Sequence, residues 1–225
     1  MRKRYLPVSP RRFFGLVTLL LLTAGLQPAE LRAQRGERDA WQRVPEVMAA
    51  LAVGTGSLVA DIGAGSGYFT AHLARQVGAD GRVFAVEIGE RELSRLRQMA
   101  EDASLQNIEV VRGEIDDPGL PEQSLDAVLV VDAYHEMTEH EAMMAGMYRA
   151  LKPGGRLVML DLAPSDGSAS RDVQIASHRI SIDLAEQEVQ AAGFEVLDRQ
   201  PQFTRTGGGR GQWMLIARRP ARTGS

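Results

Sequence analysis

Residues 58–70 read LVADIGAGSGYFT, and this stretch decides the predicted fold. It begins with the apolar run Leu58–Ala60, which is typical of a strand buried on both faces of a sheet. Gly63, Gly65 and Gly67 follow, and glycines at this density let a ligand lie directly against the main chain. Apolar residues then recur at helical spacing. The stretch therefore predicts the first strand, loop and helix of an α/β sheet, where ligands bind beyond the carboxyl ends of the strands.

Two acidic residues near this loop indicate what the ligand is. Asp61 lies two residues before the first glycine, in a GxGxG spacing that differs from the GxGxxG of dinucleotide enzymes. A carboxylate there repels a pyrophosphate and attracts an ammonium group, so S-adenosylmethionine fits better than NAD. Glu87 ends the predicted second strand, residues 82–88, about 20 residues beyond the loop, where an acid accepts both ribose hydroxyls. Both ligands contain that ribose, so Glu87 predicts nucleoside binding without choosing between them.

Further apolar runs predict the rest of a seven-stranded sheet. They lie at residues 108–111, 125–131, 156–162, 194–197 and 213–217. Glycines at 207–209 and 211 predict a hairpin between the last two runs, which makes the final strand antiparallel. We predict one doubly wound, mostly parallel α/β domain over residues 34–225.

Two motifs together resemble the class I S-adenosylmethionine-dependent methyltransferases: DIGAGSG at residues 61–67 and LKPGGRL at residues 151–157. The resemblance runs from about residue 41 to 218 and implies a Rossmann-like fold, S-adenosylmethionine as cofactor and methyl transfer to a small-molecule acceptor. DAYHEM at 132–137 and AGF at 192–194 bring the quinone-biosynthesis and general small-molecule branches nearest.

The resemblance also implies an acid that contacts the adenine amino group after the third strand. Glu114 has the usual spacing, but the loop is longer than usual, so Asp116 is an equal candidate.

The end of the predicted fourth strand lies where the methyl group would be presented. We predict Asp132 and His135 as catalytic candidates there, Asp132 also as a cofactor contact. A base is needed only if the acceptor atom carries a proton. A metal site of Asp132, His135 and His178 has no supporting ligand spacing, so we expect no metal.

Three local patterns give further expectations. Trp41 is predicted to pack in the core, and residues 138–141 resemble a capping box at a helix start. The polar residues 163–179 form either a lid over the substrate or a solvated crossover.

The first 33 residues resemble a secretory signal peptide. A basic start is followed by the apolar run 13–26 and by small residues near Ala33. The run is shorter than the roughly 18 residues that span a bilayer, although an uncleaved anchor is the alternative. Residues 9–14 resemble a twin-arginine export signal, unless the arginines are ordinary basic residues of the signal. We expect an exported protein that contacts the membrane only through this segment, if it is uncleaved.

The amino-acid composition restricts the partners and the chemistry that the protein can have. Residues 34–225 hold 20 basic and 28 acidic residues, a net charge of −8, which gives no attraction to a nucleic-acid backbone. The absence of cysteine excludes disulfides, thiolate metal sites and a cysteine nucleophile. Two alternatives to a methyltransferase stay open: an NAD-dependent oxidoreductase, and an exported module that binds S-adenosylmethionine without turnover. The oligomeric state is not predicted.

Overall fold

The computed structural model describes residues 36–204 and 211–221. From Trp41 onward the chain forms one compact unit. Its strands are β1 Leu58–Ile62, β2 Arg82–Glu87, β3 Ile108–Arg112, β4 Leu125–Val131, β5 Leu151–Leu162, β6 Glu195–Gln200 and β7 Gln212–Arg218. Its α-helices are α1 Val44–Leu51, α2 Tyr68–Val77, α3 Glu90–Asp102, α4 His140–Ala150, α5 Arg171–Ile175 and α6 Ile182–Ala191. A 3-10 turn spans Tyr134–Glu136.

The seven strands form one sheet in the order β3-β2-β1-β4-β5-β7-β6. The first five strands are parallel, and β7 runs antiparallel to both β5 and β6. The chain therefore starts in the middle of the sheet and winds outward in both directions. The carboxyl ends of β1, β2 and β4 lie together where the winding reverses, which is where such sheets bind ligands. This confirms the predicted fold, including its antiparallel last strand.

Side chains alternate between two apolar layers, one on each face of the sheet. Ala60 and Ile62 of β1 face a core that contains residues of α4 and α6. Val59 of β1 faces the other core, which contains residues of α1 and α2. The alternation puts Asp61 on the side of α2, because neighbouring residues of a strand point to opposite faces. Each face of β1 is thus covered, which explains its apolar composition.

Three local predictions differ from the structure. Trp41 is 42% exposed, so it is not a core residue. Helix α4 begins after Glu139 without a side-chain cap, so residues 138–141 form no capping box. The first residues of LKPGGRL belong to β5, with an irregularity in its pairing to β4. The capping prediction failed because the local pattern identifies atoms that could bond but not the backbone angles that would align them.

Two predictions concern residues outside the described ranges. These are the signal peptide at residues 1–33 and most of the glycine-rich hairpin, residues 205–210. Within residues 36–204 and 211–221, no helix combines the length and apolar character that crossing a membrane requires.

Candidate active site

The glycine loop folds back against the end of β2. The backbone amides of Gly63 and Ala64 both donate to the carbonyl oxygen of Val86, at 3.0 and 3.1 Å. Gly63, Gly65 and Gly67 all have positive φ angles, of 69°, 57° and 81°. A Cβ on Gly63 would lie 2.4 Å from the Cβ of Ala133, so the loop also touches the residues that follow β4. The backbone angles favour glycine at all three positions, and at Gly63 the close contact with Ala133 excludes a Cβ as well.

A cavity of about 480 Å³ opens beside this loop. Its size falls in the range of small-molecule sites. Its walls come from the ends of β1, β2 and β4 and from the loop after β3. The lining residues are Ile62, Gly63, Gly65, Val86, Glu87, Ile88, Gly89, Glu92, Glu114, Ile115, Asp132, Ala133, Glu136, Met137, Thr138 and Met143.

The structure brings most of the predicted cofactor residues together. Those that line the cavity are Gly63, Gly65, Glu87, Glu114 and Asp132. The other predicted residues, among those that the structure describes, lie outside the lining: Asp61, Gly67, Asp116 and His135. The loop after β3 therefore presents Glu114 to the cavity, and Asp116 is exposed elsewhere on that loop.

Glu87 connects the loop to the end of β2. Its Oε1 accepts a hydrogen bond from the amide of Gly65 at 2.6 Å, and its Oε2 accepts one from the amide of Ile88 at 3.2 Å. The carboxylate is thus fixed at the cavity wall by two backbone donors. It retains lone pairs that can accept hydroxyl groups, because an ionised carboxylate has about four acceptor positions.

Asp61 is buried behind the loop. It is 3% exposed, and the Thr70 hydroxyl donates to its Oδ2 at 2.6 Å. Burial raises the pKa of Asp61 to about 6, although the Thr70 hydrogen bond opposes the rise, and the charge of Glu87 adds to it. Near neutral pH the ionised form of Asp61 is destabilised by its burial. A nearby cation, such as an ammonium group, would stabilise it.

Asp132 is held at the end of β4 by the antiparallel strand β7. Its φ angle is 51°, an uncommon value for a residue other than glycine. The side-chain amide of Gln212 donates to Asp132 Oδ2 at 2.7 Å. The backbone amide of Gln212 donates to the Thr204 hydroxyl oxygen at 3.0 Å. Sequence analysis missed Gln212 because its partner lies 80 positions away.

His135 points into the protein and pairs with Asp161 of β5. Its Nδ1 lies 2.7 Å from Asp161 Oδ1, and its amide donates to Oδ2 at 3.1 Å. Burial alone would lower the pKa of His135, but the Asp161 hydrogen bond and the charges of Asp161, Glu136 and Asp132 raise it above its ordinary value. Asp161 is fully buried. Sequence analysis missed it, although an acid inside the apolar run RLVMLDL was a usable signal.

Two further side chains lie at the other edge of the His135 ring. Glu136 Oε1 is 3.7 Å from His135 Nε2, and the ring of His178 meets that of His135 edge to face, with centroids 5.8 Å apart. From the sequence, Asp132 is the acid considered for a metal site with His135 and His178. The structure places Glu136 beside these two histidines instead, and Glu136 also lines the cavity.

Residues 163–179 form a largely exposed crossover that contains α5 and is anchored by one buried residue, Gln174. Gln174 is 1% exposed; its amide group donates to the carbonyls of Gly167 and Ala169, and its Oε1 accepts the amide of Ser181. Tyr134 is fully buried, and its hydroxyl donates to Glu188 of α6 at 2.6 Å, so it packs in the core. These hydrogen bonds of Gln174 fix the end of the crossover, where His178 lies.

These features define an α/β protein with a cavity at the centre of its sheet whose size and acidic walls suit a nucleoside ligand. The comparisons with known proteins agree. A family model described as a methyltransferase domain matches residues 59–155. Residues 59–155 therefore match a methyltransferase domain, and the chain shares the fold of a solved S-adenosylmethionine-dependent methyltransferase, in agreement with the predicted resemblance.

Individual relatives show the same resemblance. The chain is 32% identical, over 109 residues, to the ubiquinone/menaquinone biosynthesis C-methyltransferase UbiE of Escherichia fergusonii. That alignment covers 48% of this chain and 43% of the relative, so the chain spans less than half the length of this curated relative.

Two solved structures share the fold at low sequence identity. One is a SAM-dependent methyltransferase from Aquifex aeolicus, with a TM-score of 0.68 and 19% identity, covering 85% of this chain and 98% of that one. The other is the Haemonchus contortus phosphoethanolamine N-methyltransferase 2 in complex with S-adenosyl-L-methionine, with a TM-score of 0.67 and 14% identity, covering 80% and 53%.

The contact between Gly63 and Ala133 predicts unequal effects of two similar substitutions. Gly63→Ala forces a left-handed alanine and an overlap with Ala133, and we expect it to lower the free energy of unfolding by about 2–4 kcal/mol. Gly65→Ala is the matched control, because its added Cβ meets no atom within 4 Å and only the backbone angle costs about 1–2 kcal/mol. Urea unfolding measures both; equal losses would contradict the proposed contact.

The raised pKa of Asp61 predicts a stability that depends on pH. The folded protein holds the Asp61 proton up to a pKa of about 6, whereas the unfolded chain releases it near 3.8. The stability contributed by this group is therefore fully present below about pH 3.8, falls as pH rises from there to about 6, and is lost above that. Asp61→Asn removes this loss. We expect it to raise the free energy of unfolding by up to about 3 kcal/mol at about pH 8, and by roughly half as much at about pH 5.

Thr70→Val provides the opposite variant. It removes the hydroxyl that stabilises the ionised Asp61, so the stability loss between about pH 5 and pH 8 should become larger than in the parent protein. Denaturant unfolding at both pH values measures these differences. A pH-independent effect of Asp61→Asn would show that Asp61 has an ordinary pKa.

Proposed function

We propose that this protein binds S-adenosylmethionine in the cavity beside the glycine loop and transfers its methyl group to a small-molecule acceptor. The observation that carries the proposal is the arrangement of Asp61, in β1, and Glu87, at the end of β2, on either side of the glycine loop. One buried carboxylate lies behind the glycines, and a second is fixed at the cavity wall within hydrogen-bond reach of Gly65. This arrangement suits a ligand with a cationic amino-acid end and a ribose.

The same two carboxylates disfavour a dinucleotide. A pyrophosphate at the glycine loop would bring two negative charges beside Asp61 and Glu87, in a partly buried place where charge repulsion is weakly screened. The ammonium and sulfonium groups of S-adenosylmethionine have the opposite sign. The charge of the loop therefore favours a methyl donor over NAD.

Each end of the cavity has a role in this proposal. Glu87 accepts the ribose hydroxyls, and Glu114, in the loop after β3, accepts the adenine amino group. Asp132 and Ala133 border the place where the reacting methyl carbon lies, at the end of β4. When bound, the cofactor supplies an electrophilic methyl group on a sulfonium, so the protein has mainly to align the acceptor with it.

His135 is our candidate for the residue that acts on the acceptor, with Asp132 beside the methyl group. Because Asp161 engages His135 Nδ1, only Nε2 of that ring points toward Glu136 and the cavity edge. The acidic body of the protein and the cavity volume favour a small molecule as acceptor. The relative named for quinone biosynthesis makes a quinone-like ring the first acceptor to test.

Calorimetric titration tests the cofactor part of this proposal. We expect S-adenosylmethionine to bind and NAD not to bind. Glu87→Gln and Glu114→Gln should each weaken binding about 10- to 100-fold, because each removes a charged acceptor at the cavity wall.

Asp116→Asn is the control for Glu114→Gln, since Asp116 is exposed on the same loop and lies away from the cavity. Its affinity should equal that of the parent protein. Binding of NAD, or equal losses at Glu114 and Asp116, would contradict the pocket assignment. Cofactor binding without methylation of any acceptor in a broad panel would favour a binding module over an enzyme.

We also propose that residues 1–33 direct export, to the periplasm or the outside of the cell. The support is their order of basic, apolar and small residues. An uncleaved membrane anchor is the alternative outcome. With no cysteine, the exported domain has no thiol to oxidise.

The pair Arg11 and Arg12 tests the route. If the signal is of the twin-arginine type, Arg11→Lys with Arg12→Lys should retain the protein inside the cell, because that pathway recognises the arginine pair. Cell fractionation and the mass of the mature chain measure retention and cleavage. Export of the double variant at the parental level would indicate an ordinary secretory signal.

A further inference from the structure

We propose that His135, Glu136 and His178 bind a divalent transition-metal ion of the Zn²⁺ type beside the cavity, with Asp161 orienting His135. The donor atoms of the three ligands all lie within 4.8 Å of one another. Two imidazoles and one carboxylate are a common ligand set for zinc and related ions.

The distances are near those that a bound ion requires. Ligand atoms about 2.0–2.2 Å from a tetrahedral zinc lie about 3.4 Å from each other. His135 Nε2 and Glu136 Oε1 are 3.7 Å apart, which is too long for a good hydrogen bond and close to this ligand spacing. The side chains of Glu136 and His178 are exposed, so small rotations can complete the approach.

Asp161 gives His135 the arrangement typical of a metal ligand. Ligating histidines usually donate their second ring N–H to a carboxylate, which fixes the tautomer and the ring plane. Asp161 occupies that position at 2.7 Å from Nδ1 and is fully buried. With the proton on Nδ1, the Nε2 lone pair faces the Glu136 carboxylate. Two acceptors that face each other are repulsive, and either a proton on Nε2 or a metal cation between them removes the repulsion.

The segment that carries His178 is held in place. His178 has a φ angle of 53°, and its amide donates to the carbonyl of Ile175 at 2.9 Å. The next residue, Arg179, donates through its guanidinium to the carbonyl of Ala163 at 2.7 Å. An uncommon backbone angle that the surroundings enforce is often found at functional sites. Here the backbone angle of His178 places its imidazole beside that of His135.

The location of the ion gives it a role in the proposed reaction, and this step rests on the proposed function. With the ion bound, His135 acts on the acceptor through the metal and not as a proton acceptor at Nε2. Three protein ligands leave a coordination position for a substrate oxygen or sulfur. Glu136 also lines the cavity, so the ion would border it. A hydroxyl or thiol acceptor bound there releases its proton to solvent more readily. Its lone pair then bonds to the methyl carbon, while the carbon–sulfur bonding pair goes to the departing sulfur.

Calorimetry tests the site independently of methyl transfer. The purified protein, carrying no histidine tag and treated with a chelator, is titrated with Zn²⁺ in the absence of S-adenosylmethionine. We expect one saturable site. His178→Ala and Glu136→Gln should each weaken it at least about 100-fold, and Asp161→Asn about 10- to 100-fold.

Two matched controls lie nearby. His140→Ala removes a histidine whose partner is Glu188, and Glu139→Gln removes an exposed glutamate at the start of α4. Both should bind Zn²⁺ like the parent protein. Visible absorption with Co²⁺ identifies the ligand set in the parent protein and should be lost in His178→Ala, whose fold is checked by circular dichroism. Absence of saturable Zn²⁺ binding, or binding that His178→Ala and Glu136→Gln leave unchanged, overturns the proposal.

A second measurement separates this site from the proposed function. If Zn²⁺ binds as expected and S-adenosylmethionine does not, the metal site stands and the methyltransferase assignment fails. If both bind, turnover of hydroxyl or thiol acceptors should fall at least 10-fold after chelation and return with Zn²⁺. Turnover of such acceptors that chelation leaves unchanged would overturn the role of the ion, while the calorimetry alone decides whether the site exists.

Discussion

Two hydrogen bonds to one carbonyl oxygen set the geometry on which the cavity depends. The amides of Gly63 and Ala64 both donate to Val86, which fixes the glycine loop at the end of β2. The same loop touches Ala133 at the end of β4. In this sheet β1 lies between β2 and β4, so the loop closes the gap that the reversal of winding leaves. Glu87 and Asp132 consequently border the cavity on two different sides of one rigid loop.

This geometry has an energetic cost that protonation of Asp61 or a nearby cation would offset. Burial keeps Asp61 away from water, and the pKa of about 6 shows that its ionised form is destabilised in the free protein. An ammonium group beside the loop would restore the ionised form. In the proposed function, the ionised Asp61 of the free protein is unfavourable until the cationic ligand binds, which is a common reason why functional sites are less stable than the fold allows.

The sequence predicts those parts of the molecule that local patterns determine. The strands follow from apolar runs, the loop from closely spaced glycines, and Glu87 from its position at the end of β2. Side-chain partners that lie far apart in the chain do not follow from such patterns. His135 meets Asp161 across 26 positions, and Asp132 meets Gln212 across 80. Both pairs depend on which strands become neighbours in the sheet, and on the face that each residue takes.

The two halves of the site accordingly come from different parts of the chain, one within the range that the family model matches and one after it. The matching family model ends at residue 155 and includes the glycine loop, Glu87 and the loop after β3. The residues that orient His135 and Asp132 come later, as Asp161, His178 and Gln212. They sit on β5, on the crossover and on the antiparallel strand β7. The family match thus covers the residues that we propose to hold the nucleoside, and the proposed acceptor side of the cavity depends on how these later elements pack against the end of β4.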